Sequence, residues 1–156
     1  MTAKPRSLSE AVAASLAART ERQGECLIWT GSTSRGYPNF YAEGKTRYMH
    51  RHLYEERHGP IPAGLMVDHV CHNPRCVEVS HLRLATLSEN NRNLNGAYKS
   101  RKHDLPRGVT PNGKGYRARV YYDNICHGQT FSTVEEAAAW ASSKRHELYG
   151  EYAGKD

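Results

Sequence analysis

The chain has 156 residues, 38% of them hydrophobic, and a mean hydropathy of −0.78. That is one average domain or two small ones, with a core thin enough to need a staple such as a metal or a disulfide. No run approaches the 18 apolar residues of a membrane span, the charged, alanine-rich start is a poor secretory signal, and 24% charge interleaved with apolar runs excludes wholesale disorder.

Residues 8–22 read as a helix, with Ser7 and Glu10 at capping-box spacing and Leu8, Val12 and Leu16 recurring every four residues. Residues 26–49 read as short strands (CLIWT, YPNFYAE and KTRYM) parted by the turn signals STSRG and EGK. HRHLYEERHG reads as a short helix stopped by Gly59 and Pro60, and LMVDHV as a strand. A further helix is expected from Thr86 to Gly96. Residues 96–106 are polar, basic and closed by a proline, which marks a linker. Beyond it, RGVTPN, GYRARVYYD and NICHGQTFS read as three strands. VEEAAAWASSKRHELYG follows as a helix, with Ser132/Glu135 or Thr133/Glu136 as its capping box. In the middle strand Tyr116, Ala118, Val120 and Tyr122 face one way, and Arg117, Arg119 and Tyr121 the other. The apolar face can pack on the helix, which leaves a basic face free.

Charge points the same way. Net charge is +6, but residues 91–121 hold eight basic residues against Asp104 alone. Such a concentration fits a phosphate-rich partner.

Cys71 and Cys76 are separated by four residues, and His81 follows after four more. Thiolates and imidazole at this spacing suit tetrahedral Zn²⁺. The fourth ligand falls to Cys26 or, as the weaker donor, Cys126, which otherwise reads as a buried strand residue. Beside this cluster stand Asp68 and His69, a carboxylate able to hold Mg²⁺ and an imidazole able to activate water. Asn90 offers a further oxygen ligand at the start of a helix.

Together, Asp68-His69, the following Cys-x4-Cys-x4-His and Glu89-Asn90 resemble the HNH nucleases of the ββα-metal superfamily. Cys26-Leu27-Ile28-Trp29-Thr30-Gly31, Gly36-Tyr37, His50-Arg51 with Tyr54, and Gly59-Pro60-Ile61-Pro62 extend the resemblance to the zinc-stapled subtype over about residues 24–95, with a spacing similar to His-Cys box homing endonucleases. Residues 106–153 resemble the AP2 DNA-binding domain through Arg107-Gly108-Val109, Gly115-Tyr116-Arg117-Ala118 and Gly128-Gln129-Thr130-Phe131, followed by the helix. Together they imply an α+β chain. An N-terminal helix (1–23) precedes a ββα-metal HNH module with a structural zinc (24–95). A basic linker (96–105) leads to an AP2-like three-stranded antiparallel sheet with one packed helix (106–153).

The resemblance implies a phage or mobile-element endonuclease of the HNH or homing type. It would cut duplex DNA to 5′-phosphate and 3′-hydroxyl ends, in the cytoplasm of a bacterial or infected cell. His69 is the implied general base, and Asp68 and Asn90 the ligands of Mg²⁺, for which Mn²⁺ can substitute. Arg47 is placed against the scissile phosphate, with Arg51 as the alternative. Cys26, Cys71, Cys76 and His81 hold Zn²⁺. Arg51, Lys99, Arg101, Lys102, Arg107, Arg117, Arg119 and Tyr121 are the expected DNA contacts. Monomer and homodimer both stay open, and no membrane is involved. The rival is a non-catalytic DNA-binding protein whose zinc module is a scaffold. The intact Asp68, His69 and Asn90 argue against it.

Overall fold

The structure, a computed structural model, describes residues 7–93 and 104–155. Lys99, Arg101 and Lys102, the expected phosphate contacts of the linker, lie outside the described residues. The chain is a mixture of helices and small antiparallel sheets in two compact units, residues 1–86 and 87–156. The boundary between them lies N-terminal to the expected linker. No helix among the described residues is long and apolar enough to cross a membrane.

In the first unit, α1 (Leu8–Arg19) opens on the expected capping box, with Ser7 and Glu10 bonding reciprocally. It stops three residues short of the expected end. Thr20–Gln23 extends instead as β1 and pairs with β2 (Cys26–Trp29), because Thr20 turns to extended backbone at the cap. A second sheet joins β3 (Thr33–Ser34), β4 (Tyr37–Ala42) and β5 (Lys45–Tyr48). Helix α2 (Met49–His58) follows directly, and β6 (Leu65–His69) pairs with β7 (Leu82–Thr86). The strand β7 carries no turn signal at its start, so local sequence does not announce it.

Val12, Trp29, Met49, Leu53 and Val77 make the core of this unit. Trp29 is fully buried, and its indole N–H donates to the Ser32 carbonyl at 2.9 Å. The ring lies so close over Gly31 that a Cβ there would meet it at 2.8 Å. The Trp-x-Gly pattern therefore records a packing constraint.

The second unit starts with the short helix α3 (Leu87–Arg92). Its sheet, ordered β10-β9-β8, is built from β8 (Val109–Asn112), β9 (Gly115–Tyr122) and β10 (Ile125–Phe131), with α4 (Val134–Tyr149) packed on it. The capping box of α4 is Thr133/Glu136. The two faces of β9 fall as alternation predicts. Ala118 and Val120 are buried against Ala137 and Ala141, and Tyr121 is 60% exposed on the other face.

Two expectations change here. Cys126 is exposed, because its register partner is Tyr121 and the pair shares the outer face. Arg107, expected on the DNA, is buried. Its guanidinium donates to the carbonyls of Ala153 at 2.8 Å and Arg92 at 2.7 Å, and its own carbonyl accepts from the buried Arg145 at 2.9 Å.

Arg92 anchors α3 inside this unit. Its guanidinium lies 4.8 Å from the Tyr122 ring centroid and 5.3 Å from that of Tyr149, and it pairs with Asp123 at 3.6 Å. Each cation–π contact is worth about 0.5–1 kcal/mol at a partly exposed site. Arg92→Ala is therefore expected to destabilise the second unit by about 1–2 kcal/mol. An unchanged urea midpoint would show that the stack carries no stability.

Candidate metal centre and active site

The candidate zinc ligands arrive from three elements. Cys26 opens β2, while Cys71 and Cys76 lie in the loop after β6, and His81 ends a single 3₁₀ turn before β7. The loop is laced to the edge of β2. Trp29 N donates to Arg75 O at 2.9 Å, Val77 N to Leu27 O at 2.8 Å, and Arg75 Nε returns to Trp29 O at 2.9 Å. Val70 N donates to His81 O at 3.0 Å and closes the base of the loop.

The four ligand atoms lie within 4.8 Å of one another. His81 Nδ1 is 3.5 Å from Cys26 Sγ and 3.5 Å from Cys76 Sγ. Zinc–sulfur and zinc–nitrogen bonds of about 2.3 and 2.0–2.1 Å at the tetrahedral angle put S and N about 3.5 Å apart. The cluster thus fits Zn²⁺. Burial pushes the Cys76 thiol up to about 12 and raises Cys71 as well. Zinc binding must therefore displace protons from these thiols. Cys126, exposed on β10, has no part in the cluster.

The fold puts the candidate base directly against this centre. His69 ends β6 opposite Leu82 and is 6% exposed. Its Nε2 lies 3.1 Å from the Cys76 carbonyl oxygen. A carbonyl only accepts, so Nε2 carries the proton and Nδ1 keeps the lone pair. A candidate zinc ligand therefore fixes the tautomer of this imidazole through its own backbone. Burial lowers the His69 pKa below 6.5. The Cys76 carbonyl and Asp68 oppose that shift, and His81 adds to it.

Asp68, also 6% exposed, faces Arg83 across the β6–β7 ladder, where Arg83 Nε donates to Oδ2 at 3.0 Å. Asn90 is half-buried on α3, in the second unit.

Sequence reading ties Tyr37 and His50 to the family resemblance, and the structure gathers them with Tyr48 into a ring cluster around His69. The His50 ring lies 5.2 Å from His69 and 5.1 Å from Tyr37, and Tyr48 lies 5.8 Å from His50. His50 is buried and its pKa is lowered to about 3, first by burial and then by His69 and Arg51. It is a neutral imidazole at any ordinary pH. Its only sequence signal is the His50-Arg51 pair itself.

Arg47 sits elsewhere. It pairs with Phe40 in register and forms an ion pair with Glu43, while Tyr48, the next residue, joins the rings near His69. Alternation along β5 puts Arg47 on the opposite face from that cluster. Arg51 is exposed on α2. In the second unit Arg119 and Tyr121 are exposed and Arg117 is half-buried, on the outer face of the sheet.

Residues 47–92 match the family model described as HNH endonuclease. That stretch holds His69, three of the four clustered Cys/His residues and the helix with Asn90. This part of the chain is similar to the HNH endonuclease domain. The chain is 36% identical over 120 residues to an uncharacterized HNH endonuclease, L560, of Acanthamoeba polyphaga mimivirus, covering 76% of this chain and 61% of that protein. It is 44% identical over 71 residues to protein 7.7 of Escherichia phage T7, covering 45% of this chain and 55% of that protein. With protein 3.8 of the same phage it shares 31% identity over 130 residues, 76% of this chain and 96% of that protein. The chain thus spans little more than half of the first two relatives. No solved structure matches it.

Proposed function

We propose that this chain hydrolyses phosphodiester bonds in duplex DNA, with His69 as general base. The observation that carries this reading is the His69–Cys76 contact. A buried imidazole is held in one tautomer by a rigid backbone oxygen, and its Nδ1 keeps a lone pair for water. The water oxygen attacks phosphorus and its proton passes to Nδ1. The bond from phosphorus to the 3′ oxygen breaks, which leaves a 5′-phosphate and a 3′-hydroxyl once that oxygen takes a proton from solvent.

Asp68 supplies a carboxylate, a hard donor suited to Mg²⁺. When bound, that ion stabilises negative charge at the phosphate. Arg83 holds the Asp68 carboxylate in place through its Nε. The zinc cluster is structural, since its four protein ligands leave no open position.

The outer face of the β8–β10 sheet, with Arg117, Arg119 and Tyr121, lies in the DNA major groove in the AP2-like manner. An arginine fork reads guanine for about 1–3 kcal/mol per contact. Arg117→Ala and Arg119→Ala are expected to flatten site preference while cleavage survives at high enzyme concentration. Unchanged cleavage maps on one long DNA would remove the sheet from recognition.

The test of the whole reading is incubation with supercoiled plasmid and Mg²⁺, with EDTA and His69→Ala controls. Nicked or linear product that disappears in both controls is expected. Tight DNA binding without any cutting would favour the scaffold reading instead.

A further inference from the structure

The β4–β5 hairpin and α2 present two chemically different faces. Tyr37, Tyr48 and His50 gather beside His69 on one. On the other, Arg47 sits opposite Phe40, and the Phe40 ring lies 5.3 Å from His52. The helix makes the same division, because His50 and His52 are two residues apart and so point about 200° away from each other. A cavity of about 260 Å³ opens beside Arg47, lined by Lys45, Thr46, Arg47, Tyr48, Arg51, His52 and Glu55, with Tyr48 bordering both faces where strand turns into helix.

Several features give this cavity a preference for an anion. Lys45, Arg47 and Arg51 bring three permanent positive charges. The carboxylates present are Glu55, in the lining, and Glu43, which is engaged by Arg47. Arg47 Nε and His52 Nε2 are buried and find no hydrogen-bond partner. Buried polar atoms left unmatched in a folded protein call for an explanation such as a missing ligand. The cavity also borders the first turn of α2, whose N-cap, Tyr48, makes no side-chain cap hydrogen bond and whose first turn holds no acid. That end of the ten-residue helix adds partial positive charge.

We propose that this cavity binds a non-scissile phosphate of the DNA backbone, so that Arg47 and Arg51 dock the duplex rather than act on the bond being cut. The proposal rests on the DNA substrate put forward above. It assigns Arg47 a role different from the one implied by family resemblance. Lys45, Thr46 and Arg51 are exposed and can reach a phosphate oxygen. Such contacts raise affinity without regard to base sequence and release counterions.

The test uses the full-length, zinc-loaded protein and a duplex of about 30 base pairs of mixed sequence, long enough to span the site with its counterion atmosphere. Binding is measured by fluorescence anisotropy in Ca²⁺ across a salt series, and cleavage is measured separately in Mg²⁺. Lys45→Ala with Arg51→Ala, both at exposed positions, is expected to weaken binding about tenfold, and the salt slope should fall by roughly 0.9 for each phosphate that the variant no longer neutralises. KM should rise by a factor similar to that in Kd, with kcat moved far less. Arg47→Gln, checked for zinc content and native circular dichroism, should follow the same pattern. An unchanged salt slope would overturn the proposal. So would a fall in kcat at constant KM, which would return Arg47 or Arg51 to the scissile phosphate. If the wild-type protein binds DNA but does not cut it, the nuclease reading fails while the binding series still decides the subsite.

Discussion

His69→Ala is expected to slow DNA cleavage by about 10²–10⁴-fold, the usual contribution of a general base. Zinc content and DNA affinity should stay at wild-type values, because the imidazole meets the Cys76 backbone carbonyl and is not itself one of the four clustered ligand side chains. The pH profile supplies a second readout. Cleavage needs the neutral imidazole, and burial holds the His69 pKa below 6.5. The acidic limb of the rate profile is therefore expected to have its midpoint below pH 6.5. A midpoint above that value would mean that Asp68 and the Cys76 carbonyl outweigh burial. Cleavage by a clean His69→Ala preparation at the wild-type rate would remove His69 from the chemistry altogether.

The same burial makes the fold itself acid-sensitive. His50 and His69 both have pKa values depressed in the folded chain, His50 to about 3. An unfolded chain takes up these protons near pH 6.5, and the folded one resists them. Their neutral, packed state thus contributes stability above pH 6.5, and that contribution is lost as pH falls from 6.5 toward 3.

Removing zinc is expected to unfold the first unit. Structural zinc is worth about 10–16 kcal/mol in small zinc-finger peptides, at or above the roughly 5–15 kcal/mol that holds an ordinary domain together. Here the metal would tie β2 to the loop after β6, above a core of five buried side chains. Cys26→Ser or a strong chelator should abolish the near-ultraviolet signal of Trp29 and the cleavage activity together. Activity is lost even if the chain stays compact, because the Cys76 carbonyl no longer holds His69. Acid should weaken zinc binding, since protons compete for the thiols. Elemental analysis finding no zinc in an active, folded preparation would sink this account.

The local sequence carries the parts of this protein that depend on short-range periodicity. The capping boxes of α1 and α4 follow from single hydrogen bonds across three residues. The two faces of β9 follow from alternation, which a strand cannot escape. The zinc spacing is legible because Cys71, Cys76 and His81 lie on one loop whose reach is limited by chain length.

What stays open in the sequence needs distant chain segments to meet. Cys26 and Cys126 are both candidates for the fourth ligand. The lacing of β2 against the loop brings in Cys26, while the β9–β10 register turns Cys126 outward. Arg107 and Arg145 look like surface charges in any sequence. They are buried because carbonyls of Ala153, Arg92 and Arg107 itself accept their N–H groups. Family resemblance points Arg47 toward the scissile phosphate, yet alternation along β5 puts Tyr48 beside His50 and turns Arg47 to the other face. With His81 assigned to zinc, the sequence leaves a backbone carbonyl to fix the tautomer of His69 but does not say which one. The tautomer depends on which atom is presented to the ring, and that atom is the carbonyl of Cys76, seven residues away on the folded zinc loop. Spacing can nominate a base or a ligand, but only tertiary contacts fix which proton it carries and which face it serves.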